Sequence, residues 1–420
     1  MSVRSIPAAA LLAAALITVI PLNDAGAQAP DRSRPAVRNV IFINGDGMSA
    51  AHREAARLFH AGLDGRLTMD TLPVSGQLTT SPDDPESAIT DSAAGASAWA
   101  TGVRTYNGAI SVDPDGNPLP TLGALAKAAG KSTGLVTTAQ VTDASPAAFF
   151  SNAVDRDAQD DIARQYLEKT KPDVILGGGE DWWLPAGTPG AYPDQPAEDP
   201  EEGSRGTEGN LIEQARRSGY QYVSTPAQLA AAGKGRLLGL FANEEMFQQR
   251  AEGQGDIYAP VVSLAAMTEK ALTNLSTDRD GFFLLIEEEG VDEFAHRNNG
   301  QRTLQTMGSL DRAVAVALGY AQRHRDTLIV VTGDHETGGL AVEDVDPDDE
   351  SGDAGSASVE DGPFPVKGSG FSFVIDWTTT GHTGQDVPVT AYGPFADRFT
   401  GKHPNTHVFK VLRPLLQERL

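Results

Sequence analysis

Phe282-Phe283-Leu284-Leu285-Ile286-Glu287-Glu288-Glu289-Gly290-Val291-Asp292-Glu293-Phe294-Ala295-His296 opens on an unbroken apolar run and stops abruptly at carboxylates. Phe282 to Ile286 has the length of a buried strand. Open α/β sheets bind their ligands at strand ends of this kind. Past the turn at Gly290, Asp292 and His296 stand four residues apart, so one helical turn aims both side chains the same way. A carboxylate and an imidazole converging there suit Zn²⁺. The same letters also describe a solvated strand end with an unconnected histidine, and the stretch alone does not choose between the two.

The composition narrows the choice. A chain of 420 residues, 40% of them hydrophobic, can build one large α/β domain with insertions or two ordinary domains. It has no cysteine, which excludes a disulfide framework and a thiolate metal site; any zinc must be held by His and Asp/Glu. A net charge of −24 argues against nucleic acid or an anionic membrane as partner. It also disfavours an anionic substrate, unless bound divalent cations reverse the field locally. An acidic surface that serves solubility accounts for most of that charge.

Residues 1–27 read as a secretory signal: Arg4 gives the positive region, Ala8 to Ile20 the apolar region, and Ala25-Gly26-Ala27 the small-residue cleavage site. The apolar run is too short for a membrane span. The expectation is a periplasmic or secreted protein cleaved after Ala27. Residues 28–420 would form a single catalytic domain with insertions near 180–209 and 341–370.

Five further stretches carry chemistry. Asn39 to Ile43 reads as a buried strand ending in Asn44-Gly45-Asp46-Gly47-Met48, a tight turn presenting one carboxylate. It lacks the third glycine and the acidic partner of a dinucleotide fingerprint. A helix follows from Ala51 to Phe59, with His52 and His60 expected at the surface. Thr90 or Asp91 caps a run of small residues to Gly102, which places Ser92 in a first turn that favours negative charge. Ordinary capping would produce the same pattern. Ser132 to Thr138 leads, as a strand, into Asp143-Ala144-Ser145-Pro146, two hard oxygen donors on a turn that suit Mg²⁺ or a helix cap equally. Arg156 can fold back over the same place or serve as an ion-pair partner. Thr327 to Val331 ends at Asp334-His335, and Gly381-His382-Thr383-Gly384 presents an imidazole from a glycine-flanked turn. Trp182 and Trp183 lie in a Pro- and acid-rich stretch that could overhang the site or pack on itself. Residues 341–361, rich in Asp, Glu, Ser and Gly, read as a mobile loop.

The ordered set of Gly45-Asp46-Gly47-Met48, Asp91-Ser92-Ala93-Ala94, Asp143-Ala144-Ser145-Pro146, Glu287 to His296, Asp334-His335 and His382-Thr383-Gly384 resembles the alkaline phosphatase family, over residues 39 to 390. The resemblance implies a three-layer α/β/α sandwich around a mostly parallel sheet. Ser92 would be the nucleophile, with Arg156 clamping the phosphate and Asp91 orienting Arg156. Asp292, His296 and His382 would hold one zinc, and Asp46, Asp334 and His335 the second. Asp46, shared, would join Asp143, Ser145 and Glu287 around one Mg²⁺, with Glu288 and Glu289 as decoys beside Glu287. Two zincs roughly 4 Å apart can stabilise the attacking and leaving oxygens of an in-line displacement. An arginine can grip phosphate bidentately where a lysine cannot.

The chain departs from the family pattern at Glu293, where relatives often carry Lys, His or Trp; a carboxylate there would repel phosphate or recruit another cation. Ser145 replaces a threonine and keeps the hydroxyl. The expectation is hydrolysis of phosphate monoesters through a phosphoserine, by an enzyme without a nucleic-acid-binding role. Homodimers are common in the family, but no interface is legible here. The rivals are a phosphodiesterase or sulfatase with the same metals, and a non-catalytic exported metal- or phosphate-binding protein.

Overall fold

Apolar runs flanked by glycine and acidic turns become strands wherever both faces can be covered. The computed structural model describes residues 36–192, 203–345 and 359–418; the expected signal segment therefore lies outside the described residues. In chain order the strands are β1 (Asn39–Gly45), β2 (Val74–Thr79), β3 (Ser132–Gln140), β4 (Val174–Gly178), β5 (Gln221–Val223), β6 (Leu237–Leu240), β7 (Phe282–Glu288) and β8 (Thr327–Thr332). There follow β9 (Glu336–Thr337), β10 (Leu340–Asp344), β11 (Val359–Pro365), β12 (Ser372–Trp377), β13 (His382–Thr383), β14 (Val387–Tyr392) and β15 (Gly401–Pro404).

Ten of them form one sheet in the order β15-β2-β14-β8-β1-β7-β3-β4-β6-β5. From β8 across to β5 every pairing is parallel, while β14 runs antiparallel to both β8 and β2. Alternate strand residues feed two separate cores, as the period of two requires. Val40, Phe42, Leu135, Phe283 and Leu285 pack with the helices Ser92–Thr101, Ala144–Phe150 and His407–Gln417. Ile41, Ile43, Val136, Leu284 and Ile286 pack with Ala50–Ala61, Leu264–Leu275 and Gly300–Arg323 on the other face. This is the expected mostly parallel α/β sandwich.

Register decides where the chemistry can sit. Asn44 on β1 lies beside Glu287 on β7 and Thr332 on β8, and Thr137 on β3 lies on the far side of Glu287. The carboxyl ends of four adjacent parallel strands thus open onto one place, the usual ligand position in such sheets.

Several local expectations need correction. His52 is fully buried and closes the capping box of its helix with Ser49, while His60 is half-buried against the carbonyl of Leu304. The Nδ1 of His52 accepts from the Ser49 amide, while its Nε2 is buried without a hydrogen-bond partner. Trp183 is in the core and overhangs nothing. The stretch read as a mobile acidic loop is partly sheet: β12 pairs with β10 on one side and β11 on the other, and residues 346–358 lie outside the described residues.

Candidate active site and metal centre

Ser92 is the first residue of the helix Ser92–Thr101, with Asp91 as N-cap accepting from the Ala94 amide. Every residue of this helix is buried, which only small side chains allow at such close approach. Gly95 shows how close: a Cβ there would stand 3.2 Å from Asp334 Cβ. Ser92 Oγ lies 3.1 Å from His335 Nε2 and 3.5 Å from Asp46 Oδ1, beside the amides of a helix N-terminus.

Two groups of ligand atoms converge around it. Asp46, Asp334 and His335 form one, and Asp292, His335 and His382 another, each with ligand atoms within 4.8 Å of one another. His296 joins the second: its Nε2 is 3.0 Å from His382 Nε2 and 3.1 Å from Asp292 Oδ2. The Nδ1 atoms of His296 and His382 meet the carbonyls of Thr380 and Thr90 at 2.6 and 2.9 Å. A carbonyl requires a donor, so both Nδ1 atoms carry hydrogen, which leaves Nε2 as the atom each ring can offer a metal. The short pairing of β13 with β9 sets His382 opposite Thr337, two residues after His335. Gly47, at φ +71°, allows Asp292 to come close; a Cβ there would stand 2.8 Å from Asp292 Oδ1.

The charge balance of the site calls for cations. Burial pushes Asp334 up to about 8 and Glu287 up to about 7. Burial, together with Asp334, Asp292, Glu287 and Asp143, raises Asp46 well above the usual carboxylate range. Asp292 runs the other way: burial would raise it, but the His296 hydrogen bond and the neighbouring imidazoles hold it low. Asp334 Oδ2 is buried and accepts no hydrogen bond. The residues fit divalent metal ions held by nitrogen and oxygen ligands.

The other oxygen-donor set is adjoining but looser. Asn44 Nδ2 donates to Ser145 Oγ at 3.1 Å and to Glu287 Oε1 at 3.2 Å, and Thr137 Oγ1 donates to Glu287 Oε2 at 2.7 Å. Asp143 turns towards Arg156, whose Nη2 reaches its oxygens at 2.9 and 3.2 Å; Asp91 is farther, at 3.5 Å from Nη1. Asp143 is thus the nearer orienting partner of Arg156, ahead of the expected Asp91. The charge of Asp143 is also what most strongly favours the protonated guanidinium.

The alkaline phosphatase family profile matches residues 37–368 and 369–417, which with this geometry decides the relationship. The chain belongs to the alkaline phosphatase family. It is 37% identical to the streptomycin-6-phosphate phosphatase of Streptomyces griseus, over 97% of this chain and 96% of that one. A cold-active alkaline phosphatase from Shewanella superposes with a TM-score of 0.72 at 31% identity, covering 90% of this chain and all of that one. A mutant of the alkaline phosphatase from the Antarctic bacterium TAB5, solved with Mg bound in its M3 site, is 25% identical with a TM-score of 0.72, over 92% and 100% of the two chains. This alkaline phosphatase family member is a phosphomonoesterase hydrolase and metal-dependent.

Sequence reasoning missed three residues of the alkaline phosphatase site. Asn44 ties Ser145 to Glu287, Thr137 anchors Glu287, and Thr337 hydrogen-bonds Asp292. The signal for Asn44 was present: a polar residue closing an otherwise apolar strand. Thr137 and Thr337 gave none, because threonine is ordinary in strands.

Proposed function

We propose that the protein hydrolyses phosphate monoesters by way of a phosphoserine at Ser92, with two zinc ions and one Mg²⁺. The observation that carries this reading is Ser92 Oγ, at a helix N-terminus, facing the converged Asp46, Asp334 and His335. Asp292, His296 and His382 would hold one zinc and Asp46, Asp334 and His335 the other. Asp46, Asp143, Ser145 and Glu287 would hold Mg²⁺. Bound there, the ions would favour the serine alkoxide and offset charge on the leaving oxygen.

Ser92 gives up its hydroxyl proton to solvent as Oγ attacks phosphorus, the P–O bond to the alcohol breaks, and the alcohol oxygen takes a proton from solvent. Water then attacks the phosphoserine and releases inorganic phosphate and free Ser92. Arg156 binds two phosphoryl oxygens throughout, held in plane by Asp143 and Asp91. The segment 1–27 supports export to the periplasm or beyond. Among the described residues no helix is long and apolar enough to cross a membrane.

The test is release of nitrophenol from mono- and bis-nitrophenyl phosphate, before and after chelation, with zinc and magnesium restored. Monoester turnover that chelation abolishes and metal restores is expected; Ser92→Ala should lose it by about 10⁴-fold or more while keeping its ions. Preference for the diester would replace the monoester reading. A narrower reading, hydrolysis of an aminoglycoside phosphate, is favoured by the identity to the streptomycin-6-phosphate phosphatase and is tested with that ester.

A further inference from the structure

Between His335 and Thr337 stands a carboxylate that the reaction above does not use. Glu336 is fully buried, and both of its oxygens are engaged. Oε1 accepts from the Leu340 amide at 3.0 Å, across the turn that Gly338 and Gly339 make at φ +87° and +58°. Oε2 accepts from the Thr383 hydroxyl. Thr383 follows His382 in the chain and lies opposite Glu336 where β13 pairs with β9.

That pairing is only His382 with Thr337 and Thr383 with Glu336. A two-stranded ribbon is marginal in water even at ordinary strand length, so side chains have to fix β13. On one side of His382, the Gly381 carbonyl accepts from the Gly338 amide at 3.0 Å. The ring is turned by the Thr90 carbonyl at 2.9 Å. On the other side the tie is the bond from Thr383 to Glu336, and a hydroxyl bound to a carboxylate makes a strong one. We propose that Glu336 is a positioning residue for the metal ion of His382. Held by Leu340, its carboxylate fastens Thr383 and so fixes the backbone that presents the imidazole to Asp292 and His296. The inference rests on the assignment of His382 to a metal ion. The other group is anchored separately, because Asp334 Oδ1 accepts from the Gly47 and His335 amides, both at 3.1 Å. Glu336 therefore acts on one metal group of the two, although it adjoins His335.

The full chain, stripped by chelation, is titrated with zinc against a fluorescent chelator, so that two affinities are read without substrate. Glu336→Ala is expected to weaken one zinc site by about 10–100-fold and leave the other unchanged. Thr383→Val should do the same, and the double variant should be no weaker than either single one, since both remove one bond. Glu336→Gln, which can still accept from Leu340 and donate to Thr383, should recover most of the loss. Unchanged affinities in Glu336→Ala overturn the proposal, as does equal weakening of both sites, which would make the carboxylate a general prop of the strand ends. Additive losses in the double variant overturn it too. If Glu336→Ala fails to fold, Thr383→Val and Glu336→Gln carry the same comparison. His382→Ala, run in parallel, separates the two levels. If it keeps both tight sites, the metal assignment fails and takes this inference with it; if it loses one while Glu336→Ala and Thr383→Val keep both, only the role of Glu336 fails.

Discussion

The Nε2 atoms of His296 and His382 face each other at 3.0 Å, each ring fixed from behind by a backbone carbonyl. With Asp292 and His335 beside them, these two Nε2 atoms form a group suited to holding one metal ion. His382→Ala should lower zinc per chain and cut turnover by more than the 10–100-fold typical of losing an outer partner. Metal analysis and nitrophenyl phosphate kinetics read both; full zinc content in the variant would contradict the assignment.

Arg156→Lys keeps the charge and loses the fork. Lysine cannot span Asp143 and two phosphoryl oxygens at once. The expected loss is roughly 1.5–3 kcal/mol in transition-state binding, about 10–150-fold in kcat/KM, with metal content unchanged. Inhibition by inorganic phosphate should weaken in parallel. A variant with wild-type kcat/KM would remove Arg156 from the site.

Asn44→Ala deletes a single amide that holds both Ser145 and Glu287. Magnesium affinity should fall by about 10–100-fold, with zinc retained. Activity restored by excess magnesium is the expected signature, whereas a loss that magnesium leaves untouched would point to misfolding.

His52, which is not itself a candidate ligand, gives a further pH dependence. Burial drives its imidazole down to about 4, against 6.5 when unperturbed. The folded state thus favours neutral His52, so this stability is present above pH 6.5 and lost as pH falls through 4. The contribution is of the order of 3 kcal/mol. His52→Asn retains an acceptor for the Ser49 amide and does not titrate. Urea denaturation from pH 7.5 to 4.5 should show wild type losing stability faster than the variant; parallel curves would sink the idea.

The central strands were legible because β1, β3, β7 and β8 are covered on both faces and read as plain apolar runs ending in polar turns. The edge was not. β2 alternates exposed and half-buried positions, and β14 and β15 acquire their pairing from partners hundreds of residues away. The same holds for β10 to β12, whose acidic, glycine-rich letters suggest a loop until the three strands pair. Within the site, Asp46, Ser92, Asp334, His335 and His382 could be named from the ordered motifs. That Arg156 leans on Asp143 more closely than on Asp91 could not, since spacing along the chain carries no information on which of two carboxylates a flexible guanidinium meets. His52 and His60 were misplaced because histidine is as compatible with a local cap as with a wet surface.

The strand ends that meet at Asn44, Glu287, Thr137 and Thr332 gather their ligands from nearly the whole length of the polypeptide, from Asp46 to His382. No nascent or truncated chain that stops short of β13 can assemble the set. Capture of the metal ion that His382 would help hold is therefore a late event and marks a finished molecule. An unfinished one has Asp46, Asp334 and His335 but lacks the group that His382 completes.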